Sequence, residues 1–82
     1  MKNIISDFSI DATLDCCGHL CPVPILMTEE KIAELGKNAV LEVSFTDRGA
    51  KGDLDAWCRA THNELLGFKD EKMKSFAYIR KG

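Results

Sequence analysis

Leu14-Asp15-Cys16-Cys17-Gly18-His19-Leu20-Cys21-Pro22-Val23-Pro24 joins two different periodicities, and its reading orders everything around it. Upstream, Phe8, Ile10, Ala12 and Leu14 alternate with Ser9, Asp11 and Thr13, the period-two pattern of a half-buried strand that ends at Asp15. Downstream, Ile25, Thr28, Ile32 and Leu35 fall on one helical stripe, with Leu26 and Ala33 beside it. Proline is tolerated in the first helical turn, where no intrahelical N–H is needed, so Pro22 and Pro24 mark the start of that helix. Gly36 marks its stop. The stretch is a strand-to-helix junction with Cys21 at the helix start.

Beyond Gly36, Ala39 to Thr46 is rich in β-branched and apolar residues and reads as a second strand. Asp47-Arg48-Gly49 and Gly52 form a turn region, and Asp53 is a good N-cap for a second helix. On that helix Leu54, Trp57, Cys58, Thr61 and Leu65 make one amphipathic face, which puts Cys58 on the core side. A strand from Leu66 to about Lys69, a polar turn at Asp70-Glu71-Lys72 and a last strand over Ser75–Arg80 close the chain. Trp57 and Phe8 are expected in the core, with Tyr78 and Phe76 lining the open sheet face. The order βαβαββ predicts an α+β fold. Its strand–helix–strand start gives a parallel pair, its terminal hairpin adds antiparallel pairing, and a four-stranded mixed sheet results with both helices on one face.

Eighty-two residues hold one small domain spanning 1–82, with a thin core. With 45% hydrophobic and 29% charged residues, the composition is that of an ordinary globular domain. A net charge of −2 argues against a nucleic-acid partner, whose backbone would call for a basic excess. The segment Met1-Lys2-Asn3-Ile4-Ile5-Ser6-Asp7 carries a lysine but no apolar run or cleavage site, and no span is long enough for a bilayer. A cytoplasmic protein is therefore expected.

Four cysteines in so short a chain invite a disulfide scaffold, but Cys16, Cys17 and Cys21 cluster within six residues and cannot staple distant loops. A cluster of this kind in a reducing compartment points to thiol chemistry or metal binding. Cys21 is placed where the unpaired first-turn N–H groups and the dipole of a helix start favour a thiolate, the nucleophilic form. No Cys-x-x-Cys pair surrounds it, so dithiol exchange of the thioredoxin kind is unsupported. A single activated thiol without a placed general base suits a carrier that accepts and hands on a sulfur atom. Cys58 reads as an inert packing residue, and Cys16 and Cys17 as either small loop residues or auxiliary redox thiols. A metal site from Cys16, Cys17, Cys21 and His19 matches structural zinc spacing poorly.

The run from Leu14 to Pro24 resembles the Leu-Asp-x-x-Gly-x-x-Cys-Pro-x-Pro signature of the TusA/SirA-like family of small sulfur carriers. The likeness continues through Asp47-Arg48-Gly49-Ala50-Lys51-Gly52-Asp53-Leu54, Trp57-Cys58 and Tyr78-Ile79-Arg80-Lys81, covering nearly the whole chain. It implies a two-layer α/β sandwich and persulfide sulfurtransferase chemistry on Cys21, positioned by Gly18, Pro22 and Pro24, with no cofactor of its own. It further implies a cysteine desulfurase or other persulfide donor, a sulfur acceptor protein and, in some relatives, a membrane partner for sulfur import. The family's usual Gly-His pair near the end of the second helix is His62-Asn63 here, with Asn63 able to end the helix in the left-handed region, and Arg48 replaces a proline. Leu20, Val23 and Met27 are expected as exposed apolar docking contacts beside the motif. The competing reading is a redox- or metal-responsive regulatory module built on Cys16, Cys17 and Cys21.

Overall fold

The computed structural model describes residues 9–20 and 22–82; Phe8 and Cys21, on which parts of the sequence reading rest, lie outside the described residues. The elements are β1 (Ala12–Asp15), α1 (Val23–Glu34), β2 (Val40–Phe45), α2 (Ala50–Thr61), β3 (Glu64–Asp70) and β4 (Ser75–Arg80). The strands form one mixed sheet in the order β1-β2-β4-β3, with β1 parallel to β2 and the other two pairings antiparallel. The two helices touch one another and both rest on the sheet, as the βαβαββ order predicts.

Register explains the core. Ala12, Leu41, Ile79 and Leu65 line up across the four strands as one row, and Leu14, Val43, Ala77 and Phe68 as the next. These rows form the helix-facing layer, where Leu41, Val43, Phe45, Ala77 and Ile79 are buried against Ile32, Ala50, Leu54 and Cys58. Strict alternation would put Leu65 and Phe68 on opposite faces of β3. A bulge between Leu65 and Gly67 adds the residue that turns both inward. The Phe45 and Phe68 rings then meet edge to face, with centroids 6.4 Å apart.

Several local expectations shift. Ile10 is exposed and precedes β1, so the first strand is shorter than its alternation. Helix α2 starts at Ala50 with Gly49 as N-cap, and Asp53 sits in the first turn instead of capping it. Burying Ala50 in the core outweighs the capping preference of Asp53 by one extra turn. The helix stops after Thr61, which is exposed, because His62 rather than Asn63 takes the left-handed conformation at φ 64°. Leu65 consequently belongs to β3, which also begins earlier and ends later than Leu66 to Lys69. Trp57 is half-buried and packs against the core, while Cys58 is fully inside it.

The face of the sheet away from the core cluster is not uniformly open. Tyr78 faces Glu42 across the β2–β4 pair and donates its hydroxyl to Glu42 Oε2 at 2.9 Å, yet the residue is wholly buried. Phe76, two residues away on the same face, is only half-buried. Among the described residues no helix is long and apolar enough to cross a membrane.

Candidate functional site

Parallel pairing brings the carboxyl ends of β1 and β2 to the same edge of the sheet, the place where α/β folds expose loops to ligands and partners. The loop that carries the cysteine motif leaves β1 there and is fastened at successive residues. Asp15 Oδ1 accepts the Cys17 backbone N–H at 2.9 Å and the Ser44 hydroxyl at 3.1 Å. The Gly18 N–H donates to Thr46 Oγ1 at 3.0 Å, and the His19 N–H to the Cys16 carbonyl at 3.2 Å. Gly18 adopts φ +85°, a conformation in which any Cβ is strained, so glycine serves the turn directly. The Asp15 carboxyl is held below its ordinary value, first by the Cys17 N–H and then by the Cys17 side chain and the Ser44 hydroxyl.

The three described cysteines have separate environments. Cys16 is fully buried in the core cluster, its backbone N–H bonded to the Ser44 carbonyl at 2.7 Å and its Sγ donating to the Pro24 carbonyl at 4.0 Å. Burial, then the Asp15 carboxylate, push its thiol up to about 11. The alternation of Ala12 and Leu14 extended by two residues would have placed Cys16 on the core side. Cys17 points the other way and is half-exposed, but partial burial and then hydrogen bonding to Asp15 raise its thiol too. Cys58 lies in the core with its thiol pushed up to about 11 by burial. None of these three is electrostatically disposed to be a thiolate at neutral pH.

Cys21 itself lies outside the described residues, and the site around its position is built by its neighbours. Pro22 is the N-cap of α1, and Pro24, in the first turn, is buried. The first-turn donors do not remain unpaired, contrary to the sequence expectation. The Val23 N–H bonds the Leu20 carbonyl at 2.9 Å, Pro24 has no N–H, and the Ile25 and Leu26 N–H groups both reach the Pro22 carbonyl at 3.1 Å. The two prolines tighten the turn until its carbonyls consume its donors. What α1 still offers at this end is the field of its aligned peptide dipoles, positive at the N-terminus.

Apolar side chains surround the helix start. Leu20 is 72% exposed and Leu26 55%, with Val23 at 37%. Met27 does not join them, because it packs against the core; Leu26, one residue earlier, takes the outward position expected of it. His19 and His62 are exposed. The residues that sequence reasoning did not single out are Ser44 and Thr46, which hold the motif loop from β2. Their role follows from the parallel register, which one sequence does not carry.

Similarity to known proteins agrees with this arrangement. The chain is 39% identical to YrkF of Bacillus subtilis over 69 residues, covering 84% of this chain and 37% of YrkF. It is 36% identical to the sulfur carrier protein TusA of Pseudomonas entomophila over 77 residues, covering 94% and 96%. The chain thus spans little more than a third of some curated relatives it matches and nearly all of others. The crystal structure of a SirA-like protein from Desulfitobacterium hafniense superposes with a TM-score of 0.77 at 20% identity, covering 87% of this chain and 97% of that one, which establishes the same fold. A strand-to-helix loop pinned by Asp15 and Gly18 therefore sits within a match of the sulfurtransferase TusA family model to residues 12–81, and the chain belongs to the TusA family.

Proposed function

We propose that the protein is a sulfur carrier that holds sulfane sulfur as a persulfide on Cys21 and relays it between proteins. The observation that carries this reading is the family match over residues 12–81, which spans the hydrogen-bonded loop leading to Cys21. Its chemistry is displacement at sulfur. The Cys21 thiolate attacks the terminal sulfur of a donor persulfide R–S–SH, the donor S–S bond breaks as the new one forms, and R–S⁻ leaves while Cys21 becomes Cys21–S–SH. The same step in reverse sense passes the outer sulfur to an acceptor thiolate. No electrons are gained or lost overall, so the chain needs no cofactor of its own.

The fold supports this chemistry by exclusion as much as by activation. Cys16 and Cys58 are buried and held protonated, and Cys17 is raised as well, so the sulfur entering at Cys21 has no competing thiolate among the described cysteines. The exposed Leu20, Val23 and Leu26 offer apolar surface with which a partner can shield the persulfide from solvent thiols during transfer. A metal site that used all three thiols of the cluster would require Cys16 to leave the core, where it is fully buried.

A cysteine desulfurase supplied with cysteine and pyridoxal phosphate is the natural test donor. Transfer of radiolabelled sulfur to the protein is expected for the wild type and lost for Cys21→Ser, with Cys17→Ser unaffected. Labelling of Cys21→Ser at the wild-type level would overturn the proposal.

A further inference from the structure

A groove of about 300 Å³ opens between the β2–α2 loop and the β3–β4 turn, floored by the buried Phe45. Arg48, Lys51, Lys72 and Lys74 line it and outnumber the two carboxylates present, Asp47 and Glu71. The chain as a whole carries a net charge of −2, so this is a local reversal of sign. Thr46, which holds the Gly18 N–H of the motif loop, also lines the groove, so groove and motif share a wall. The Lys74 charge is felt at Asp15 and Cys17, which places its ammonium within electrostatic reach of that loop. Lys51 is tied to Asp70 at 2.9 Å, whereas neither Arg48 nor Lys72 makes an ion pair among the described residues. Met73, between the two turn lysines, is 82% exposed, the most exposed large apolar side chain among the described residues.

An exposed methionine flanked by cations, beside a site from which an atom must pass between two proteins, has the composition of an interface: an adaptable apolar anchor with a charged rim. The sign of the rim selects an anionic partner. Interleaved carboxylates at Asp47 and Glu71 suit discrete acidic side chains better than a continuous phosphate backbone. We propose that the groove between the β2–α2 loop and the β3–β4 turn docks an acidic segment of the protein with which Cys21 exchanges sulfur, with Met73 as the apolar anchor. This rests on the sulfur-carrier reading for the identity of the partner, but not for the binding itself.

The test uses a fluorescein-labelled peptide of glutamates around one central leucine, titrated with the full chain. The Lys72→Glu/Lys74→Glu variant is expected to bind about tenfold more weakly, and added salt to weaken the wild type. In the wild type alone, peptide addition shifts the backbone amide resonances of Thr46, Arg48, Met73 and Lys74, a readout that needs no variant to fold. Equal binding by the wild type and the double variant overturns the proposal. So does tighter binding of an oligouridylate than of the peptide, which would make the groove a phosphate site. Loading of Cys21 by inorganic polysulfide separates the two readings. A chain that binds the peptide but takes no sulfur overturns the carrier reading and leaves an acidic-segment site; one that takes sulfur but binds the peptide no better than the double variant overturns the groove.

Discussion

The backbone N–H of Gly18 donates to the Thr46 hydroxyl at 3.0 Å, fastening the loop after β1 to the residue that follows β2. The bond joins positions 28 residues apart and is made at the carboxyl edge of the parallel pair. Because Gly18 has φ +85° and a Cβ there would meet nothing within 4 Å, a substitution at this position acts through backbone strain alone. Gly18→Ala should cost about 1 kcal/mol in urea denaturation and Gly18→Asn less, since asparagine tolerates the left-handed region. Equal costs for the two would contradict the strain account.

Thr28 is fully buried on the inner face of α1, and its hydroxyl has no hydrogen-bond partner among the described residues. Thr28→Val replaces that hydroxyl with a methyl of nearly the same shape and should raise stability by about 1 kcal/mol. Thr28→Ser keeps the orphan hydroxyl and removes a methyl, and should lower stability by about 1 kcal/mol. Thermal and urea denaturation of the two variants decide the point.

The order of elements was legible because the period changes from two to 3.6 at the motif and prolines and glycines mark the change. What stayed hidden depends on contacts between distant segments. Asp53 is a sound local cap, but Ala50 has a place in the core, and the helix extends to reach it. Leu65 fits a helical stripe on spacing alone; only the β3–β4 bulge shows that it and Phe68 share a sheet face. The candidate site divides in the same way. Cys21, the proposed nucleophile, and Gly18 can be read from the motif, whereas Ser44, Thr46 and the groove lysines are brought to it by strand pairing. Cys16 lies between these cases, since its burial is visible once the alternation of β1 is followed past Asp15.

Thiol accessibility should follow the same division. With iodoacetamide near neutral pH, Cys21 is expected to react first and Cys17 slowly, while Cys16 and Cys58 react only when the chain unfolds. Peptide mapping by mass spectrometry reads this directly. The buried thiols also set an alkaline limit. Their pKa lies at about 11 in the folded chain against 9.0 for an unperturbed thiol, so the unfolded chain releases their protons first. Their contribution is complete below pH 9.0 and declines as the pH rises toward about 11. Cys58→Ala, compared with the wild type across this range, should show a shallower alkaline loss.

At the acid end the sign reverses. Asp15 is held below its ordinary 3.8 by the hydrogen bonds of Cys17 and Ser44, so its charge favours the folded state above that value. The contribution is lost as the pH falls through the lower, folded value. Asp15→Asn keeps an acceptor for the Cys17 N–H but not the charge. The stability difference between wild type and Asp15→Asn should therefore be present at neutral pH and vanish on acidification, followed by urea denaturation at stepped pH. A difference that persists unchanged at low pH would contradict this assignment.

On the proposed function, one cysteine of four carries the sulfur. Intact-mass spectrometry after incubation with a persulfide donor tests it most directly, because each sulfur atom added raises the mass by about 32 Da. A single such adduct is expected on the wild type, on Cys16→Ala and on Cys17→Ala, removed by dithiothreitol and absent from Cys21→Ala. A full adduct on Cys21→Ala would contradict it.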